Sequence, residues 1–432
     1  MGLRVLVTSD LHIGRTSTRL PQAIGLDSET ARAVSGWHSI VDQAITGGVK
    51  LLILAGDVAD QDNRFWEAIG PLQAGLRRLA EHGVRTLAVS GNHDHDVLPR
   101  LADALGDEGN FTLLGRDGKW QRETVIDDGR PVLHVDGWSF PTKVVEFDPV
   151  QDYTAADGDG IPVVGVVHGD LDDPNSRFAP LSLPVLAAQP VNGWLLGHIH
   201  KPHLYTQGTP FVLYPGSPQA LDFGERGVHG PWQFEVDAGR IEPPRQVPMS
   251  FCRYDEVEID LTDVADDAGF ETAVIGAVRE AEQRMLDESG DRLQALSLRL
   301  RLVGRTSLFD RLPALSEPLL EYTGLTTGLA VRIDHVGLEV LPEINLESLA
   351  RGSTPLGVAA GLLHAVETTP DAPEVQSLLA DVTARMTDIG NRRDYLAVAD
   401  EPWAEEHEAR VMVRKQLNFI IGQLVRQQGG EP

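Results

Sequence analysis

The chain has 432 residues, 42% of them hydrophobic and 23% charged, which allows more than one hydrophobic core and fits ordinary globular protein. No stretch approaches the ~18 uninterrupted apolar residues of a membrane-spanning helix, and the single cysteine, Cys252, excludes an internal disulfide framework, so a reducing cytoplasm is the expected setting. The formal net charge of -27 excludes a broadly basic surface, so any grip on nucleic acid must rely on a local groove, on bound cations or on a partner.

In chain order, "MGLRVLVTSD" enters a strand pattern at once, without the basic region and long apolar run of a signal peptide. Strand-like runs then alternate with helix-like stretches. The strands are "LRVLVTSD", "KLLILAGD", "RTLAVSGN", "PVVGVVHG", "GWLLGHIH" and "PFVLYPGS". Several are apolar at consecutive positions, as expected of strands buried on both faces, and the alternation predicts α/β layering. The Pro-rich "GRIEPPRQVPMSF" reads as a domain edge, which bounds a first domain at residues 1–245. Beyond it "YDEVEIDL", "LSLRLRLVG" and "GLAVRIDHVGLEV" read as strands. Between the first two, Phe270, Val274, Val278, Ala281 and Met285 share one face of a helix. A smaller α+β domain is therefore expected over 250–345. From 346 to 432 the chain turns helical, with one stripe of Val375, Leu378, Leu379, Val382, Met386 and Ile389 and another of Val413, Leu417, Ile420 and Leu424. Such stripes fit packing within their own domain or docking of a partner.

The chemistry collects at the carboxyl ends of the first-half strands. Asp10 and His12 follow "LVTS", Asp57 follows "LILAG", and Asn92, His93 and Asp94 follow "LAVSG". His168 follows "VVGVV", and His198 and His200 follow "WLLG". In an open α/β sheet such ends converge on one crevice. Carboxylates, imidazoles and an amide oxygen suit divalent manganese, iron or zinc, and the lack of a cysteine among them excludes thiolate zinc and iron–sulfur sites. So many ligands exceed one tetrahedral ion and suit two ions about 3.5–4 Å apart, an arrangement that bridges a phosphoryl oxygen and acidifies water. Each motif alone is most often a strand end or a turn; five of them in order are not. His95, His203 and His229 lie close by, and Arg15, Arg19, Lys201 and Arg226 could rim the crevice for phosphate. There is no G-x-x-x-x-G-K-[ST], so the chain is not itself a P-loop ATPase.

"SDLHIG", "LAGDVAD", "SGNHD", "VVHGD" and "LGHIHKP" resemble the five signature blocks of the calcineurin-like metallophosphoesterases, and they span residues 8–200. "VLYPGSPQALDFGERGVHG", residues 212–230, resembles the block after the last metal motif in SbcD-type DNA-repair exonucleases and their YhaO-like relatives. The resemblance implies a layered α-β-β-α domain carrying a smaller α+β capping domain and C-terminal helices. It implies one metal held by Asp10, His12, Asp57 and His200. A second would be held by Asp57, Asn92, His168 and His198, with Asp57 bridging. Manganese is the expected metal, with iron or zinc as alternatives.

The resemblance further assigns His93 to the scissile phosphate or its leaving oxygen and Asp94 to orienting that ring. On this reading "GNHDHD" compresses a ligand, a general acid and its carboxylate into one turn. An imidazole is suited to proton transfer near neutral pH, and Gly91 allows the backbone to turn sharply toward the metals. The implied activity is two-metal hydrolysis of phosphodiester bonds in DNA, by a homodimer working with an SbcC-type ABC ATPase that carries a coiled-coil arm. The C-terminal stripe would be its docking element. Phosphodiesterases and phosphatases acting on small molecules or phosphoproteins share the same five blocks, so they form the alternative. A subunit that only binds a partner fits less well, because the ligand set is complete.

Overall fold

In the computed structural model, the strand Leu3–Thr8 is the hub of the first sheet. It pairs in parallel with Leu51–Ala55 and antiparallel with Trp232–Asp237. The sheet order is Arg240–Ile241, Trp232–Asp237, Leu3–Thr8, Leu51–Ala55, Arg85–Val89, Phe111–Leu113, with Arg245–Gln246 also paired to Trp232–Asp237. The Pro-rich segment that reads as a domain edge thus lays two short strands on this sheet. A second sheet runs His203–Thr206, Phe211–Tyr214, Gly193–Gly197, Val163–His168, Arg130–Trp138, Gln121–Asp127. The structure describes residues 2–15, 33–60, 65–106, 110–154, 159–206, 208–321, 323–325, 329–390 and 406–429.

Period-two alternation explains the layering. Leu3, Val5 and Val7 point one way, together with Leu51, Ile53, Leu87 and Val89. They pack against Leu133, Val135, Val164, Val166, Leu195 and Leu213 of the second sheet. The in-between residues Leu6, Leu52, Leu54 and Ala88 point the other way. There they meet Trp37, Ile40, Leu72, Leu76 and Leu101 from the helices Ala33–Thr46, Phe65–Glu81 and Val97–Leu105. The outer face of the second sheet is closed by Trp138, Trp194, Leu196 and Tyr214 with Leu186 of the short helix Leu183–Ala187. The result is the α-β-β-α layering that the signature blocks imply.

The described chain divides into two compact units. The first takes Met1–Asp255, Met285–Leu296 and Gly328–Ala330; the second takes Glu256–Arg284, Ser297–Thr327 and Val331–Pro432. Four strands pair in the order Cys252–Asp260, Ala295–Thr306, Ala330–Pro342, Thr323–Leu325. The helix Asp267–Ser289 buries Phe270, Val274, Val278 and Ala281, the face that its periodicity predicts. Helices Pro355–Thr368, Pro373–Gly390 and Glu406–Gly429 close around Leu363, Leu379, Met386, Val413 and Ile421. They share this core with Leu341 of the strand Ala330–Pro342, so the helices and most, though not all, of the α+β segment fall in the second unit.

Of the last stripe, Val413 and Leu417 are buried and Leu424 packs partly buried against the same core, and only Ile420 falls outside it. Ala409, Val413, Leu417 and Ile421 are buried, whereas Ile420 is 44% exposed together with Val411, Met412 and Phe419. The side chain of Ile389 lies outside the described residues. Among the described residues no helix is long and apolar enough to cross a membrane.

Cys252, the only cysteine, is buried at the start of its strand, and burial pushes its thiol up to about 12. The thiolate is the reactive form. At pH 8 the folded protein is expected to react with iodoacetamide about three orders of magnitude more slowly than a free cysteine. In denaturant, mass spectrometry should show one rapid adduct per chain.

Candidate metal centre

The crevice is built by backbone before side chains enter it. Beyond the paired strands the first two loops continue side by side. Asp10 N–H donates to Gly56 O at 3.1 Å, His12 N–H to Asp57 O at 3.0 Å, and Ile13 N–H to Val58 O at 2.9 Å. Turning here requires left-handed backbone at non-glycine positions: Asp10 has φ 50°, His12 φ 44°, Asp57 φ 49° and His198 φ 107°. Asp tolerates that region better than most residues, yet each such position costs of order 1–3 kcal/mol. Small residues then bring the walls close. A Cβ on Gly56 would lie 2.5 Å from His168 Nδ1, and one on Gly91 would lie 2.7 Å from His168 Cε1 and inside the shell of Asp57 Oδ1. Gly91 therefore serves close approach rather than a left-handed turn, since its φ is not among the positive ones.

Asp57 stands at the middle. Its Oδ1 accepts from His93 N–H at 2.8 Å. Its Oδ2 lies 3.4 Å from His168 Nε2 and 3.9 Å from His12 Nε2. His168 Nε2 is 3.2 Å from Asn92 Oδ1, while its Nδ1 is 3.1 Å from Ala55 O. Asp10 receives His198 N–H on both carboxylate oxygens, at 3.1 and 3.2 Å, and its Oδ1 is 4.0 Å from His200 Nε2. His12 Nε2 and His200 Nε2 face each other at 3.0 Å.

Three sets among the described residues have ligand atoms within 4.8 Å of one another: Asp10 with His12 and His200, Asp10 with Asp57 and His168, and His12 with Asp60 and His93. Asn92 joins the second through His168. The His198 imidazole is at the margin, its ring 5.4 Å from that of His168 and its Nε2 3.8 Å from Asp170 Oδ2. All seven sequence-predicted ligands thus meet in one crevice. The donor set fits divalent cations on its own chemistry. Two imidazole nitrogens at 3.0 Å share a space with buried carboxylate oxygens, and a cation receives all of these lone pairs at once.

Charge is redistributed strongly. Burial pushes the Asp10 carboxyl up. Burial would do the same to Asp57, but the His168 imidazole beside it, with His12 and His93, holds it well below the usual carboxylate range. Burial lowers His168, yet the Asp57 and Asp10 carboxylates outweigh it and hold the ring at about 9. Burial, with His168 nearby, takes His198 down to about 3, and burial drives His12 well below its ordinary value.

His93 lies in neither of the two sets that contain Asp10. Its ring lies edge-on to His12, with centroids 4.9 Å apart, and its Nδ1 is 3.4 Å from Asp60 Oδ1. The expectation that Asp94 faces this ring is corrected by the geometry. Asp94 Oδ1 accepts from Gly91 N–H at 2.7 Å, and Oδ2 accepts from Val58 N–H at 2.6 Å and Ala59 N–H at 3.4 Å. It is fully buried, and burial next to Asp57 raises its carboxyl to about 7. Asp94 pins the "GNHD" loop to the "GD" loop, while Asp60 is the carboxylate at the imidazole.

Sequence reasoning missed three carboxylates: Asp60, Asp170 beside His198, and Glu225, whose Oε1 is 2.7 Å from His200 Nδ1. All lie inside the quoted blocks, at "GDVAD", "HGD" and "FGERG", so position alone could have found them. Of the possible basic rim, Arg15 pairs with Asp60, and Arg19 lies outside the described residues. His229 is buried against Ser217, with Nδ1 2.7 Å from Ser217 O, rather than open to a substrate.

Residues 3–202 match the calcineurin-like phosphoesterase family. The chain is 26% identical over 256 residues to the metallophosphoesterase YhaO of Bacillus subtilis, covering 55% of this chain and 59% of that protein. It is 28% identical over 275 residues to the DNA double-strand break repair protein Mre11 of Haloferax volcanii, covering 62% and 56%. It is 24% identical over 261 residues to the SbcD component of the SbcCD nuclease of Bacillus subtilis, covering 52% and 64%. The matches therefore span less than two thirds of the length of each of these relatives.

The packing of Gly91 against Asp57 and His168 gives a direct test. Gly91→Ala should fold but bind Mn(II) at least about tenfold more weakly, a displacement cost of the kind that outer-shell changes produce. Calorimetric titration, with circular dichroism as the check on folding, measures it.

Proposed function

Through residues 3–202 the chain belongs to the calcineurin-like phosphoesterases, and from that premise we propose that it is a two-metal phosphodiesterase acting on DNA, the nuclease subunit of a complex with an ABC-type ATPase. The observation that carries the hydrolytic part is the division within the crevice. Two sets of mostly buried ligand atoms share Asp10, and beside them His93 is partly exposed, with Nδ1 3.4 Å from Asp60 Oδ1. DNA as the substrate is supported by relatives named as a double-strand break repair protein and a nuclease subunit, and by the resemblance of the 212–230 block to that of SbcD-type exonucleases.

In this reading Asp10, His12, Asp57 and His200 hold one divalent cation, and Asp57, Asn92, His168 and His198 hold the other; manganese is the expected metal, with iron or zinc as alternatives. Bound there, two cations supply Lewis acidity toward a phosphoryl oxygen and acidify water. The chain does the rest. His93 delivers a proton to the departing oxygen, Asp60 stabilises the ring while it carries that proton, and Asp94 fixes the loop from which His93 projects. The -27 net charge favours a second reading, a phosphodiesterase of small molecules or phosphoproteins, because such substrates need no basic track. In the first reading an SbcC-type partner with a coiled-coil arm supplies the missing positive surface, docking on the C-terminal helices of a homodimer.

His93→Ala should keep both Mn(II) ions while turnover falls about 10²–10⁴-fold. Asp57→Ala should weaken both ions, because in this reading Asp57 bridges them. With Mn(II) at low salt, nucleotide release from linear double- and single-stranded DNA should be compared with hydrolysis of bis-p-nitrophenyl phosphate and cyclic nucleotides. DNA cleavage that disappears in His93→Ala supports the nuclease. Hydrolysis of the small diesters alone, unchanged by an SbcC-type ATPase, overturns it in favour of the second reading.

A further inference from the structure

The segment after the last metal motif has no ligand of its own, yet it ends on one. Glu225 is 7% exposed and places Oε1 2.7 Å from His200 Nδ1. A ring nitrogen that close to a carboxylate carries the hydrogen, which leaves Nε2 of the neutral ring as the lone pair. That Nε2 is the atom facing His12 Nε2 at 3.0 Å and Asp10 Oδ1 at 4.0 Å. The other two core imidazoles are backed differently. His168 Nδ1 meets the Ala55 carbonyl, and His12 Nδ1 has no hydrogen-bond partner among the described residues.

Glu225 is itself held from several directions. Its Oε2 accepts from Leu221 N–H at 2.9 Å and from Ser217 Oγ at 2.9 Å. Ser217 N–H donates to His200 O at 2.8 Å, so the loop grips both the backbone and the ring of the same histidine. Leu221 O accepts from Tyr254 OH at 3.0 Å, and Gln219 Oε1 accepts from Phe251 N–H at 3.1 Å. Both carboxylate oxygens are thus committed in a buried network, which is the arrangement that fixes the tautomer and orientation of a ligating histidine.

We propose that Glu225 is a positioning residue for His200: it holds the imidazole with Nε2 toward the metal crevice, and Ser217 and Leu221 hold Glu225. This rests on the metal-centre reading above. The test is a double-mutant cycle in the full-length protein with Mn(II) alone as the probe, read by calorimetric titration. Co(II) visible absorption reports the coordination geometry independently of turnover. Wild type should bind two ions. Glu225→Gln, which keeps the shape but loses the charge, should weaken one ion about 10-fold, and Glu225→Ala up to about 100-fold, with an altered Co(II) spectrum. In a His200→Ala background the effect of Glu225→Gln should vanish. Should Glu225→Ala fail to fold, the Gln cycle decides. An unchanged affinity and spectrum in Glu225→Gln would overturn the proposal, as would an equal loss in both backgrounds, which would make Glu225 a loop brace only. Wild type that takes up no Mn(II) would instead overturn the metal-centre reading itself.

Discussion

The structure is organised around the burial of two carboxylates, Asp10 and Asp57, each 1% exposed. An ionised carboxylate removed from water is costly unless charge or hydrogen bonds replace the solvent. Here the replacement is local and dense. Backbone N–H groups of His93 and His198 reach the two carboxylates, and imidazoles crowd the remaining oxygens. Such an arrangement needs a rigid frame, because a loosened loop would leave charge buried without a partner. The double sheet provides the frame, and its apolar interior of Val5, Val7, Ile53, Val89, Val164 and Val166 ends where the crevice begins.

Around this centre each loop has a separate task. The "GD" loop supplies the central carboxylate and, three residues on, the partner of His93. The "GNHD" loop supplies an amide oxygen and that histidine, and Asp94 sutures the two loops through three backbone amides. His93 is backed by a carboxylate that lies outside the two sets of clustered ligands around Asp10.

Much of this centre is legible in the amino-acid sequence. The strand ends can be found because doubly buried strands are short apolar runs with abrupt polar ends. The ligand types stand out because carboxylate, amide and imidazole recur together at those ends. Other features follow from contacts that no local pattern carries. Which strands share a sheet is a tertiary matter. Adjacency in sequence pairs His93 with Asp94, whereas the folded loops bring Asp60 across to the ring. The phase of the last helix is ambiguous in sequence because Ile420 and Ile421 are both apolar, and only packing against Leu363 and its neighbours selects Ile421. The Pro-rich stretch pairs as edge strands, where missing N–H groups are tolerated.

The left-handed backbone at Asp10 and Asp57 bears on how such a domain can change over time. Asn and Gly accept that conformation as readily as Asp does, and Gly more so. Replacing either carboxylate by one of them would remove buried charge and relieve strain together. Descendants that lost the chemistry could therefore keep, or even gain, stability, and the scaffold is free to outlive its catalytic role. Both positions nonetheless carry aspartate, so this sequence keeps a backbone cost that Asn or Gly would lower.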